Sequence, residues 1–469
     1  MFVIKRLLIS GTKSGIGKTT ITLGILAALK KRGLNVAPFK VGPGFIDPGH
    51  HFRVTGKNSW NLDGWMLSKS YNLECFRKYS ENADVSVVEG VMGLFDGYDG
   101  KSESGSSAQM AKWLDLSVIL VVDAGSMARS VAALIRGFEE FDKGLSFAGV
   151  VFNNVGSSKH LQYLKDSLEG NVKMPCVGGI YHDREITIPK RYLGLATLHD
   201  HRLSDKDIDR LANVVEKNMD IDKLLESLPD MKTGKPKSDE VPLISEKAKP
   251  AVRIGIAWDN AFCFYYRDNL DILETFGAEL VYFSPIKDGC LPENLDGIYF
   301  GGGYPELFAS QLSNNSELRR TVRKKSLEGM PIYGECGGFM YLCRELYNTD
   351  GNIYPMTGCF PFNTRMLSHL RTLGYREIKL IKDTIVGKCG HTLRGHEFHY
   401  SELSDIDANI ENIYSVSGLF GQKNVPEGFL VNRTIGSYLH LHLGSKPEAA
   451  KEFIDSCLDY KKERMTKLQ

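Results

Sequence analysis

The chain has 469 residues, 42% hydrophobic and 25% charged, with a formal net charge of +1. That length exceeds one ordinary core and calls for two domains, while the balanced charge argues against a nucleic-acid or anionic-membrane partner. No stretch reaches the ~18–20 continuous apolar residues of a membrane helix, and nine scattered cysteines without a Cys-x-x-Cys pair argue against a disulfide scaffold or structural zinc and for a reducing cytoplasm.

Residues 1–10 are too short and too charged for a signal peptide, and 7–10 read as a strand entering a glycine-rich turn. Residues 19–31 follow as a helix, and 36–40, 85–90, 118–123 and 147–153 are further apolar, β-branched strands with helical segments between them. This alternation predicts an α/β domain with a mostly parallel sheet covered on both faces. Residues 226–250 are rich in Lys, Asp, Glu, Pro and Ser and read as a linker. Strands at 252–257, 280–283, 297–300 and 331–334 open a second α/β domain. The boundaries are thus 1–225, a linker at 226–250, and 251–469.

The first turn is Gly11-Thr12-Lys13-Ser14-Gly15-Ile16-Gly17-Lys18-Thr19-Thr20. Strand before, helix after and Gly-Lys-Thr-Thr at the junction make it a phosphate-binding loop, whose backbone N–H groups cradle an anion. Lys18 is placed to reach the β/γ-phosphates and Thr19 to hold Mg²⁺. Thr12 stands where the strict pattern has glycine. The remaining Lys13, Gly15, Gly17, Lys18, Thr19 and Thr20 resemble the deviant loop of a dimeric ATPase group, in which an early lysine contacts nucleotide, so a homodimer is an expectation. Mg²⁺ takes hard oxygen ligands, and Asp47 and Glu89, at neighbouring strand ends, are the candidates. The plain alternatives are a turn residue before Pro48 and a surface carboxylate. Asn153, ending the fifth strand, is a candidate for reading an adenine edge or for a strand-end cap.

The second turn is Gly334-Glu335-Cys336-Gly337-Gly338, again between strand and helix. It reads as an elbow that presents a nucleophilic thiol, with the helix N-terminus expected to lower the pKa of Cys336 and offer N–H groups to an oxyanion. Gly301-Gly302-Gly303-Tyr304-Pro305-Glu306 is a candidate second oxyanion loop. The base is sought among His396, His399, His440 and His442.

Together with Phe39-Lys40-Val41-Gly42-Pro43, Asp47-Pro48, Asn61-Leu62-Asp63, the Glu89 to Gly97 run, Ala261 to Tyr266, Gly395 to Tyr400 and Ser437 to His442, these turns resemble the cobyrinic acid a,c-diamide synthase family. The resemblance spans nearly the whole chain. It implies two doubly wound α/β domains: an N-terminal P-loop domain similar to dethiobiotin synthetase, and a C-terminal class I glutamine amidotransferase-like domain. It implies ATP with Mg²⁺, L-glutamine and cobyrinic acid or a related tetrapyrrole as partners. Cys336 would attack the glutamine carboxamide, with His440 activating the thiol and His442 its near rival. The first domain would phosphorylate a substrate carboxylate, and ammonia would displace the phosphate. Two departures stand out. Gly44 occupies a position where the family commonly has Asp, and His442 stands where ordinary triad amidotransferases carry the glutamate of His-x-Glu. The same reaction on nickel-sirohydrochlorin or hydrogenobyrinic acid is the neighbouring reading, and an ATPase switch without amidation the distant one.

Overall fold

The computed structural model describes residues 3–182, 203–232, 248–405, 410–418 and 424–468. It divides into two compact units, Met1–Glu240 and Val241–Gln469. Most of the stretch read as a linker, 233–247, lies outside the described residues.

In the first unit the strands are β1 (Val3–Gly11), β2 (Val36–Val41), β3 (Trp60–Leu62), β4 (Val85–Glu89), β5 (Ser117–Asp123), β6 (Ser146–Val155), β7 (Cys176–Tyr181) and β8 (Met231–Lys232). They assemble in the order β3-β2-β4-β1-β5-β6-β7, with β8 added antiparallel to the start of β1. All other pairings are parallel. Every residue of β2 and β4 is buried, as expected of central parallel strands covered on both faces. The sequence reading misses β3 and β7. These are the two edges of the sheet, one only three residues long and the other carrying Gly178 and Gly179, so neither shows a sustained apolar β pattern. Within the stretch 226–250, Met231 and Lys232 pair with Ile4 and Val3, adding a short strand to the first unit's sheet.

The helix α1 (Lys18–Lys31) starts directly after the phosphate loop, and α2 (Ile46–Thr55) follows β2. β1, β2 and β4 all end at one edge of the sheet, which is what brings the loop, α2 and Glu89 together.

The second unit begins with a parallel core, β9 (Val252–Ala257), β10 (Ala278–Phe283), β11 (Gly297–Phe300) and β12 (Ile332–Glu335), in the order β10-β9-β11-β12. The sheet continues through Thr434–Ser437, parallel to β12, then through the antiparallel strands Val425–Val431, Asn412–Gly418, Thr372–Leu380 and Thr392–His399, to Leu439–Leu441. Thr434–Ser437 and Leu439–Leu441 are adjacent in the chain yet lie at the middle and the end of the strand order. The antiparallel half therefore curls back on itself, returning Thr392–His399 to the end of β12. A core of Ile254, Ile256, Leu270, Tyr299, Ile378, Leu393, Ile435, Leu441 and Phe453 fills the interior.

Candidate functional site

In the first unit the loop between β1 and α1 turns through Gly15 (φ 77°) and Gly17 (φ 91°), conformations that L side chains rarely adopt. Asn153 closes the loop from β6: its amide donates to the Ile16 carbonyl at 2.8 Å. Lys13 is exposed, and Lys18 is buried with Nζ donating to the Lys13 carbonyl at 3.1 Å. Burial, with Lys40 adding to it, brings the Lys18 ammonium down to about 8. Thr20 is half-buried in the first turn of the helix.

Thr19, Asp47 and Glu89 meet. Thr19 Oγ1 donates to Glu89 Oε1 at 2.6 Å and lies 3.4 Å from Asp47 Oδ1. Glu89 is fully buried, so the surface reading of this carboxylate does not hold. Asp47 lies in the first turn of α2, where the helix dipole favours a carboxylate.

Two residues that the sequence reading did not single out complete the cluster. Lys40 Nζ lies 2.7 Å from Asp47 Oδ2 and 3.1 Å from Glu89 Oε1, and donates to the Gly90 carbonyl at 3.0 Å. Burial alone opposes its charge, but Asp47 and Glu89 hold the ammonium above the ordinary lysine value. His51 Nε2 lies 2.8 Å from Glu89 Oε2, and its Nδ1 lies 2.9 Å from Ser59 Oγ. Against the cost of burial, Lys40, His51 and Thr19 keep the Glu89 carboxyl well below the usual range. The one hint in the sequence is that Lys40 is a lone charge ending an apolar strand. A hydroxyl and two carboxylates are a donor set that fits Mg²⁺, which takes few protein oxygens and completes its shell with water and phosphate.

In the second unit Cys336 sits between β12 and the short helix Gly337–Leu342, with φ 46° and ψ −106°. Such a conformation at a residue other than glycine costs on the order of 1–3 kcal/mol, and strain of this kind clusters at functional sites. Its N–H donates to the Ser437 carbonyl at 2.7 Å, and its Sγ lies 3.7 Å from the Phe398 carbonyl. The second glycine turn packs directly on the elbow: a Cβ on Gly337 would stand 2.9 Å from Gly303 N and 2.8 Å from Pro305 Cδ. The thiol departs from expectation. Burial, followed by the carboxylate of Glu306, pushes Cys336 well above the ordinary cysteine value, and the Gly337 N–H only partly offsets this. The short helix is outweighed by desolvation and by Glu306, Glu335 and Glu397.

The four candidate histidines separate by their contacts. His399 has acceptors at both nitrogens, Ser401 O at 2.8 Å and Glu397 Oε1 at 2.9 Å, and its ring lies on Tyr438. His442 Nδ1 accepts from Gly444 N–H at 3.2 Å, and its Nε2 faces Asp268 at 4.0 Å. His396 Nδ1 lies 2.8 Å from the Tyr266 hydroxyl. His440 is the one seated on the glycine turn: a Cβ on Gly302 would fall 2.3 Å from its Cε1. Burial, with His399 adding to it, brings the His440 imidazole down to about 3, so it is neutral across the physiological range. Glu335 underlies the same strand, accepting from Tyr299 and Tyr333 hydroxyls at 2.8 and 2.7 Å and from Leu441 N–H at 3.0 Å.

The two halves match two domain families. Residues 7–194 match the CobQ/CobB/MinD/ParA nucleotide binding domain, and 253–448 the CobB/CobQ-like glutamine amidotransferase domain. Across the full length the chain is 43% identical to the cobyrinate a,c-diamide synthase of Syntrophotalea carbinolica, over 96% of this chain and 98% of that one.

The chain belongs to the cobyrinate a,c-diamide synthase family.

Members from Leptospira interrogans (41% identity, 97% and 99% coverage) and Methanosarcina barkeri (39%, 97% and 97%) are similarly related. Membership in the cobyrinate a,c-diamide synthase family, with its amidotransferase domain, makes the chain a glutamine-dependent ligase. Among the described residues no helix is long and apolar enough to cross a membrane.

Proposed function

We propose that this chain amidates the a and c acetate carboxylates of cobyrinic acid, using ATP and glutamine, in cobalamin biosynthesis. Relatives of the same name along the whole chain support the substrate, and the Thr19–Asp47–Glu89 cluster beside the phosphate loop supports the activation step. The glutaminase half is carried by one observation: an elbow cysteine packed on a glycine turn that also seats His440.

In the second unit, neutral His440 takes the Cys336 proton as the sulfur attacks the glutamine carboxamide carbon. The C–N bond breaks, ammonia leaves with that proton, and water hydrolyses the thioester to glutamate. In the first unit, a substrate carboxylate oxygen attacks the γ-phosphorus of ATP and ADP leaves. Ammonia then attacks the acyl carbon of the acyl phosphate and inorganic phosphate departs. Lys18 and Lys40 offset phosphate charge, Lys13, exposed on the loop, contacts the nucleotide, and Gly15, Gly17 and Thr20 contribute loop N–H groups. Thr19, Asp47 and Glu89 would hold Mg²⁺, which when bound neutralises charge on the transferring phosphoryl group. Asn153 is assigned to the adenine side of the loop.

The test is an amidation assay with cobyrinic acid, nickel-sirohydrochlorin and hydrogenobyrinic acid in parallel. Wild type should amidate cobyrinic acid with glutamine or ammonia, and Cys336→Ala with ammonia only. Preference for another macrocycle would transfer the assignment to it. Absence of any amidation, with ATP hydrolysis intact, would leave the ATPase switch.

A further inference from the structure

Triad amidotransferases orient the catalytic imidazole with a carboxylate two residues further on; here that position is His442, whose ring is engaged elsewhere. The geometry around His440 supplies a different device. His396 and His440 are directly opposed in the antiparallel pair formed by Thr392–His399 and Leu439–Leu441. Opposed residues project from the same face of a sheet with Cβ atoms roughly 5 Å apart, close enough for rings to stack. These two do: their centroids are 4.8 Å apart and their planes 14° from parallel. The Cε1 edge of the His440 ring abuts Gly302, where a Cβ would stand 2.3 Å from Cε1 and within 3.3 Å of both ring nitrogens. The imidazole thus has an aromatic ring on one face and bare backbone at its Cε1 edge.

The clamp is itself anchored. The Tyr266 hydroxyl meets His396 Nδ1 at 2.8 Å, and the Tyr266 ring lies 4.5 Å from that of His442. His442 is fixed in turn by Gly444 N–H. Tyr266, His396, His440 and His442 are all buried. Burial keeps His396 neutral as well as His440, so the stacked faces carry no charge repulsion.

We propose that His396 is the positioning residue for His440: its ring face, set by Tyr266, holds the imidazole in the plane from which it meets the Cys336 thiol. This rests on the reading of His440 as the thiol's base. A stacked pair restricts rotation about the last side-chain bond of His440 without exchanging a proton, so it replaces the orienting task of the missing carboxylate. It does not replace the carboxylate's charge.

The test compares His396→Phe, which keeps a flat ring, with His396→Leu, which fills similar space without one. Glutaminase kcat and KM are measured on the full chain, with thermal unfolding as the folding control. His396→Leu should lower kcat about tenfold while KM for glutamine stays within about twofold, and His396→Phe should stay within about threefold of wild type. Equal kcat values for the two variants, or a change confined to KM, would overturn the proposal. Should His396→Leu show no cooperative transition, Gly302→Ala tests the contact at the Cε1 edge, since a methyl there must displace the ring. A kcat at the wild-type level would then overturn the clamp. His440→Ala keeps the two failures distinct: if it retains glutaminase activity, the base assignment itself falls, whatever the His396 variants do.

Discussion

Thr19 Oγ1 lies 2.6 Å from Glu89 Oε1, although the two are 70 residues apart in the chain. The bond joins the first turn of α1 to the end of β4. It also divides the work of one carboxylate: Oε1 receives Thr19 and Lys40, while Oε2 is held by His51. A buried carboxylate tied at both oxygens has one orientation, so its partners decide how it faces the phosphate loop.

His51→Ala removes the tie on Oε2 and leaves the face toward Thr19 intact. Losing an outer partner of a metal-binding carboxylate commonly costs about 10–100-fold in metal affinity or activity. The expected result is a Mg²⁺ titration of ammonia-driven amidation shifted to higher concentration by about that factor, with glutaminase activity at the wild-type level. An unshifted Mg²⁺ curve would show that Glu89 needs no such support.

Lys40→Met leaves Asp47 and Glu89 facing one another without their shared cation. Breaking a buried ion pair from one side costs about 3–5 kcal/mol. Chemical denaturation of the first unit should show a loss of this order. Adding Glu89→Gln to Lys40→Met should recover part of it, because the buried charge is removed as well. If the two losses simply add, the pair is not coupled.

The phosphate loop, Asp47, Glu89 and Cys336 are legible in the chain because their signals are local: a turn of fixed spacing between a strand and a helix. Lys40 and His51 are not, since their significance comes from β2 and α2 meeting the end of β4. The edge strands β3 and β7 escape for lack of an apolar pattern. The thiol shows why local reasoning can invert a sign. A helix N-terminus next to Cys336 is visible in the sequence, but the carboxylates of Glu306 and Glu397 and the closure of the fold over the sulfur are not. The choice among the four histidines likewise depends on which rings are engaged elsewhere, a property of a sheet that curls back on itself.

Because burial and Glu306 keep the Cys336 thiol protonated, it should alkylate slowly in the resting protein, although it is the proposed nucleophile. Cys290 and Cys389 are exposed and should take up iodoacetamide first at pH 7. Peptide mass spectrometry over a time course should find Cys336 modified at least about tenfold more slowly than either. Preferential labelling of Cys336 would mean that the thiolate is already formed, contrary to its surroundings.

Glu335 links the thiol elbow to the histidine strand, and its protonation should be visible in stability. It is buried and accepts from Tyr299, Tyr333 and the Leu441 N–H. Burial outweighs these donors and raises its carboxyl to about 7. A group whose folded value lies above its unfolded one contributes stability that is fully present below the unfolded value, near 4.5, and is lost as pH rises through about 7. Glu335→Gln stays neutral throughout and lacks this dependence. Wild type should therefore lose stability relative to the variant between about pH 4.5 and 7, by on the order of 3 kcal/mol in all. Above that window the difference should be constant, since Glu335 is ionised in both folded and unfolded chains. Calorimetric unfolding of both proteins at pH 5, 6, 7 and 8 checks it. Parallel profiles would mean that Glu335 is ionised in the folded protein already at pH 5, its charge carried by the two tyrosine hydroxyls and the Leu441 N–H.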